Sequence, residues 1–401
     1  MDKKELLIYL IRNSLAEDKE MITAGSSALH KLTDEEWETL QTELAAQAVL
    51  TLPFGYIKRT DLLSDRCLFS YKRILMQSVT NTYGMMKEQE ALTSLLKKYK
   101  IPVVVLKGSA AAVYYADPEQ RAMGDIDLLV KPENFEQAFH LLQENGYRNA
   151  EELNIHKRHN EFEKNGMEIE LHNRFATEKD VRQRNYLDQL IWGGMSQCIY
   201  REIMGIKFPM LPDWINGLVL LSHINYHMAE GPGLRHLIDW MMFVQEKLDD
   251  EMWDNCFKDA AKQIGIEKFA IALTRTCQLY LGLSDSITWC QCTDEKLCSM
   301  LLDYILGHGN FGMKDSRNRK RGDILIMLRH PGKYIHYAQE IGCRTWRAAQ
   351  KHPFLENFAW IYQSFRFLLH EKSYGTDLKY ISDYKRGVQK QQLFKKLEIS
   401  R

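Results

Sequence analysis

Apolar positions in the first 80 residues recur at helical spacing. Leu6, Leu7, Leu10 and Ile11 line one face, and the Thr-Asp-Glu-Glu run from Thr33 to Glu36 predicts a second helix capped by Thr33. From about residue 81 the character changes. Met85, Leu92, Leu95, Leu96 and Tyr99 form a helix stripe that Lys100 and Pro102 end. The next run, IPVVVLKG, is continuous and β-branched, as suits a strand buried on both faces. Gly108 and Ser109 then turn the chain into SAAAVYY, a small-residue segment that predicts a closely packed helix stopped by Asp117 and Pro118. GDIDLLV predicts a second strand. After Pro132 a helix carries Phe135, Ala138, Phe139 and Leu142 on one face, and Gly146 stops it.

Two alternating segments follow, around HKRHNEFEK and MEIELHNRF, joined at Asn165-Gly166, the strongest short signal for a hairpin. Helix, strand, helix, strand, helix, strand, strand is the order of an α+β domain with a mixed sheet. Beyond about residue 176 helical stripes dominate, apart from a hairpin expected in CIYREIMGIKFPML. The expected division is an N-terminal helical region over 1–80, the α+β domain over 81–210 and a helical region over 211–401. The basic end, KYISDYKRGVQKQQLFKKLEISR, is expected to fray.

Composition changes this picture little. The 401 residues are 45% hydrophobic and 26% charged, enough to build cores, and the formal net charge of zero gives no global attraction to nucleic acid or an anionic membrane. Arg12 interrupts the first apolar stretch, no cleavage-site pattern follows, and no window approaches the roughly 20 apolar residues of a spanning helix. The expectation is a cytoplasmic protein with no membrane partner. Of eight cysteines only Cys290, Cys292 and Cys298 cluster, without a C-x2-C pair or an adjacent histidine, so reduced thiols are expected there rather than a zinc site.

The chemistry gathers in the α+β segment. Asp125 and Asp127 alternate to one face of a strand, and two such carboxylates repel unless a cation lies between them; a hard divalent ion such as Mg2+ suits their oxygens. Glu168, Glu170 and His172 alternate likewise beyond the hairpin, and one glutamate completes a three-carboxylate site if the strands are neighbours. Three acids can hold two metal ions. Gly108 and Ser109 end a strand and open a helix, a natural phosphate cradle, with Lys107 and Arg121 near in sequence.

Further along, His223 and His227 stand at i and i+4, as a packed pair or as the lining of a substrate groove. Ile224 takes the place where a zinc protease needs glutamate. Arg235 and Asp239 share the same spacing and suit a salt bridge. The stretch from Lys314 to Asp323 is a basic loop, solvated or gripping phosphate or RNA. Glycine-rich dinucleotide and P-loop motifs, a serine-hydrolase elbow and the kinase loops are all absent.

LKGSAAAVYYADPEQRAMGDIDLLV, with the later Glu170–His172 pair, resembles the polymerase β-like nucleotidyltransferases. More closely, it resembles the bacterial family described as uncharacterised nucleotidyltransferases. There a lysine precedes Gly-Ser, an arginine precedes G-D-I-D and an acid stands two residues before a histidine. The resemblance spans roughly residues 80–245, with HINYH and RHLIDW as its downstream echo.

The resemblance implies a polymerase β-like mixed sheet and transfer of a nucleoside monophosphate from an NTP to an acceptor hydroxyl, with two Mg2+ ions and release of pyrophosphate. Asp125 and Asp127 would bind Mg2+ or Mn2+, Glu170 would bind metal or act as the base on the acceptor, Gly108 and Ser109 would hold the β- and γ-phosphates with Lys107 or Arg121, and His172, His223 and His227 would line the substrate site. The third acid is glutamate where many members carry aspartate, and Glu168 competes with Glu170 for the role. The expected acceptor is a small molecule, with RNA or protein as alternatives in toxin-like members. The competing reading is a nucleotide-binding or interaction protein without turnover.

Overall fold

The computed structural model describes residues 3–16, 31–149, 153–154, 157–314, 327–328, 330–346, 348–349, 352–372 and 379–399. Three helices come first: α1 (Lys3–Leu15), α2 (Asp34–Ala46) and α3 (Phe54–Thr60). Thr33 caps α2 in a reciprocal box. Its hydroxyl accepts from the Glu36 N–H at 3.2 Å, and the Glu36 carboxylate accepts from the Thr33 N–H at 2.8 Å. A 34-residue helix, α4 (Asp65–Lys98), follows and buries Met85, Met86, Gln89, Leu92, Thr93 and Leu96. That stretch of α4 packs on the sheet.

Next come β1 (Val103–Leu106), the one-turn helix α5 (Gly108–Ala112), β2 (Ile126–Val130), α6 (Pro132–Glu144), β3 (His159–Lys164) and β4 (Met167–His172). This is the element order read from periodicity. The β3–β4 hairpin turns at Asn165 (φ 55°) and Gly166 (φ 78°), both left-handed as a two-residue primed turn requires. After α7 (Val181–Met195), a second hairpin pairs β5 (Ile199–Ile203) with β6 (Ile206–Met210).

The six strands form one sheet in the order β3-β4-β2-β1-β6-β5. β1 runs antiparallel to β2 and parallel to β6, while β2 runs parallel to β4. The sheet is therefore mixed and the fold is α+β, as the order of elements along the chain predicts. β1 and β2 are buried throughout, as their unbroken apolar runs require. α6 covers β2 with Phe135, Ala138, Phe139 and Leu142 buried, and the Phe139 ring lies 5.1 Å from Phe162 of β3.

The following helices are α8 (Asp213–His227), α9 (Leu234–Lys247), α10 (Lys258–Ile264), α11 (Glu267–Leu281) and α12 (Glu295–His308). α8 and α9 approach closely at Gly217, where a Cβ would lie 2.1 Å from the Phe243 ring. α8 also clamps α5: Asn216 Nδ2 donates to the Ala110 carbonyl at 2.8 Å and to the Tyr114 hydroxyl at 3.0 Å. The strand–turn–helix corner is thus fixed from below.

The chain divides into two compact units. One comprises residues up to 314 together with 397 onward, and the other spans 315–396. In the second, α13 (Pro331–Thr345) packs on α14 (Ala359–Lys372), with Trp346 stacked on Tyr362 at 4.8 Å. The basic end expected to fray is instead helical over α15 (Lys379–Lys396). Among the described residues no helix is long and apolar enough to cross a membrane.

Candidate active site

β2 presents Asp127 and Leu129 on one face, with Asp125 just ahead of the strand; Ile126, Leu128 and Val130 fill the core on the other. The parallel register of β2 and β4 sets Asp127 beside Glu170 and Leu129 beside His172. Ligand oxygens of Asp125, Asp127 and Glu170 consequently lie within 4.8 Å of one another. Glu168, which competed for the third place, lies outside this group. It is exposed and sits opposite Glu163 on β3.

β1 delivers the counter-charge. Lys107 follows the last residue of the strand with φ 49° and ψ −130°, a backbone conformation that costs a residue with a side chain about 1–3 kcal/mol. Its ammonium lies 2.5 Å from Asp127 Oδ1 and 3.6 Å from Glu170 Oε2. His172, fully buried, places Nε2 at 3.0 Å from the same two oxygens. Carboxylates only accept, so this nitrogen carries the proton and donates. Asp127 Oδ2 is buried, with no hydrogen-bond partner among the described residues.

These neighbours drive the acids apart. The charge of Asp127 and then burial push Asp125 up to about 6. Burial also works to raise Glu170, but the His172 hydrogen bond and the Lys107, His172 and His159 charges outweigh it and hold the carboxyl far below its usual range. Burial alone would lower Lys107; the charges of Asp127, Glu170 and Asp125 reverse this, and it stays cationic. An all-oxygen cluster with a buried, unsatisfied carboxylate oxygen fits a hard divalent cation such as Mg2+ or Mn2+.

Gly108 and Ser109 form the first turn of α5, and both are buried. The Ser109 hydroxyl donates to Gln89 Oε1 at 3.0 Å, so this residue offers the cleft its backbone and not its hydroxyl. Arg121 is also committed. Its Nε and Nη2 reach Asp239 at 2.9 and 2.8 Å, and the Tyr115 hydroxyl donates to the same carboxylate at 2.7 Å. Asp239 therefore pairs with Arg121, not with Arg235 one helical turn away.

That exchange leaves Arg235 in an unusual state. Among the described residues its guanidinium makes no ion pair, its Nε is buried without an acceptor, and its Cζ lies 5.8 Å from the Phe311 ring centre. Burial first, and Arg121 second, lower its affinity for the proton, while Asp239 and Asp125 act the other way. Spacing alone paired Arg235 with Asp239, so its availability was hidden from the sequence.

His223 and His227 meet through their Nε2 atoms at 2.9 Å, with His236 5.4 Å from each ring and Phe311 beside His227. The spacing argument found the first two; His236, on the next helix, has only its place three residues after Gly233 as a signal. The three rings are close enough for a metal ion. However, His236 Nδ1 accepts the Gly233 N–H at 3.2 Å, which places the proton on Nε2 and leaves no lone pair there for a ligand bond. The trio fits a polar wall better than a metal centre.

Other sequence candidates lie apart. Cys290 and Cys298 are buried free thiols and Cys292 is exposed; burial pushes Cys290 up to about 12. Of the basic loop only Lys314 is among the described residues, where it is tied to Glu43 and the Leu306 carbonyl. A groove of about 730 Å3 lined by Lys97, Lys100 and Lys207 opens at the start of β1, the end away from the acids.

The model of the family described as uncharacterised nucleotidyltransferase matches residues 33–282, more than half of the chain. The span contains the whole carboxylate cluster and reaches beyond the motif resemblance at both ends. No curated protein matches the chain significantly.

Proposed function

The chain belongs to the uncharacterised nucleotidyltransferase family, and from that premise we propose that it moves a nucleoside monophosphate from an NTP to an acceptor hydroxyl, releasing pyrophosphate. The observation that carries the reading is the convergence of Asp125, Asp127 and Glu170 around an unsatisfied buried oxygen. A divalent cation held by these carboxylates would offset triphosphate charge and polarise the reacting phosphoryl group.

The protein's own groups do the remaining work. The first turn of α5 leaves backbone N–H groups at Gly108 and Ser109 for the β- and γ-phosphates. Arg235, a guanidinium without a carboxylate partner among the described residues, adds positive charge for the same anion. Arg121 acts at one remove: its ion pair with Asp239 ties the segment before Asp125 to α9. Glu170, held strongly acidic, serves as an anionic ligand rather than as a proton acceptor. His172 orients Asp127 and Glu170 by donating to both. His223 and His227 line the acceptor side, and a small-molecule acceptor is the favoured class.

Asp125→Asn and Asp127→Asn should each abolish Mg2+-dependent pyrophosphate release while melting as cooperatively as the wild type. Turnover equal to wild type in both variants refutes the assignment. Stabilisation by NTP and Mg2+ without pyrophosphate would instead favour a nucleotide-binding protein that has lost turnover.

A further inference from the structure

Two oxygens of the carboxylate cluster are already satisfied. Asp127 Oδ1 faces Lys107 Nζ at 2.5 Å and His172 Nε2 at 3.0 Å, and Glu170 Oε2 faces the same nitrogens at 3.6 and 3.0 Å. A cation bridging Asp127 and Glu170 through these atoms would have to displace both donors. Asp127 Oδ2 is different: it is buried and has no hydrogen-bond partner among the described residues, and the Asp125 carboxylate belongs to the same group.

Charge points the same way. Three carboxylates and one ammonium leave two formal negative charges, which one divalent cation balances. Lys107 is not a loose surface lysine. Its side chain is 11% exposed and its backbone holds a left-handed φ at the end of β1, beside the acid pair.

We propose that Lys107 is a built-in substitute for a second protein-held cation, so that the carboxylate cluster binds a single divalent ion between Asp125 and Asp127 Oδ2. The inference rests on the metal-dependent reading above and adds its stoichiometry. It also gives Lys107 a role other than gripping phosphate: the ammonium neutralises Glu170 and one oxygen of Asp127 whether or not nucleotide is present.

Mn2+ binding to the full chain without nucleotide, counted by electron paramagnetic resonance of the free ion, tests this. Wild type should bind one Mn2+ per chain. Lys107→Met, which keeps length and removes charge, should bind two, and Mn2+ should raise its melting temperature more than it raises that of wild type. Lys107→Arg keeps the charge and should stay at one, which separates lost charge from a damaged fold. Two Mn2+ on wild type, or one on a folded Lys107→Met, overturns the proposal. If wild type binds no Mn2+ and Asp125→Asn behaves identically, the metal-dependent function itself fails and carries this inference with it. That outcome is read from wild type and Asp125→Asn, before any lysine variant is made.

Discussion

Replacing Asp239 by asparagine should be among the most damaging single changes outside the carboxylate cluster. The Arg121 and Asp239 side chains are 7% and 6% exposed and make two parallel hydrogen bonds of 2.9 and 2.8 Å, with the Tyr115 hydroxyl a third donor to the carboxylate. Asp239→Asn keeps the shape but leaves the guanidinium buried without its counter-charge. Breaking one member of a buried pair costs about 3–5 kcal/mol. At the lower end of the usual conversion, as suits a unit of this size, the melting temperature should fall by about 5–10 °C.

Removing both partners, as in Arg121→Met/Asp239→Leu, takes away the unpaired charge. What then remains is chiefly the lost acceptor for Tyr115, about 1–3 kcal/mol. A double-mutant cycle by urea and thermal denaturation, with Arg121→Met as the other single, measures the coupling. A double variant as unstable as the sum of the singles, or an Asp239→Asn loss below about 1 kcal/mol, would refute the reasoning.

Acid should weaken the fold before most of the carboxylates titrate; Asp125, raised to about 6, takes up a proton in the native chain first and opposes this loss in part. Burial holds His223 and His236 well below the ordinary histidine value, so between that value and the folded one the unfolded chain binds protons that the native chain does not. Stability is then complete above about pH 6.5 and falls as pH drops below it, by up to about 1.4 kcal/mol per pH unit for each ring. Melting temperatures from pH 7.5 to 5.5 check this: His223→Phe should flatten the slope, and a flat wild-type profile contradicts it. Gly217→Ala should cost about 1–3 kcal/mol in a urea melt, because its Cβ would lie 2.1 Å from Phe243; an unchanged midpoint would show that α8 and α9 separate freely.

Much of the candidate site was legible because strand alternation and turn chemistry are local. Asp125 and Asp127 share a face through two-residue periodicity, and Asn165-Gly166 needs only its own positive φ values to make the hairpin. The fate of the arginines was not legible. Arg235 and Asp239 are neighbours on any helix, yet Asp239 pairs with Arg121, 118 residues earlier, because α9 packs where that guanidinium arrives with two parallel donors. Likewise Ser109 looks like an open hydroxyl in sequence, and only the packing of α4 brings Gln89 to occupy it.

By itself the chain determined its elements: apolar period, caps and breakers act over a few residues, and so do the faces on which the acids stand. The tertiary structure decided which glutamate stands with the aspartates, since the parallel β2–β4 register sets Glu170, and not Glu168, beside Asp127. It also decided what the lysine touches. Residues far apart in sequence meet through strand pairing and helix packing, and the charges brought within 4 Å there, rather than any spacing along the chain, set what the site can hold.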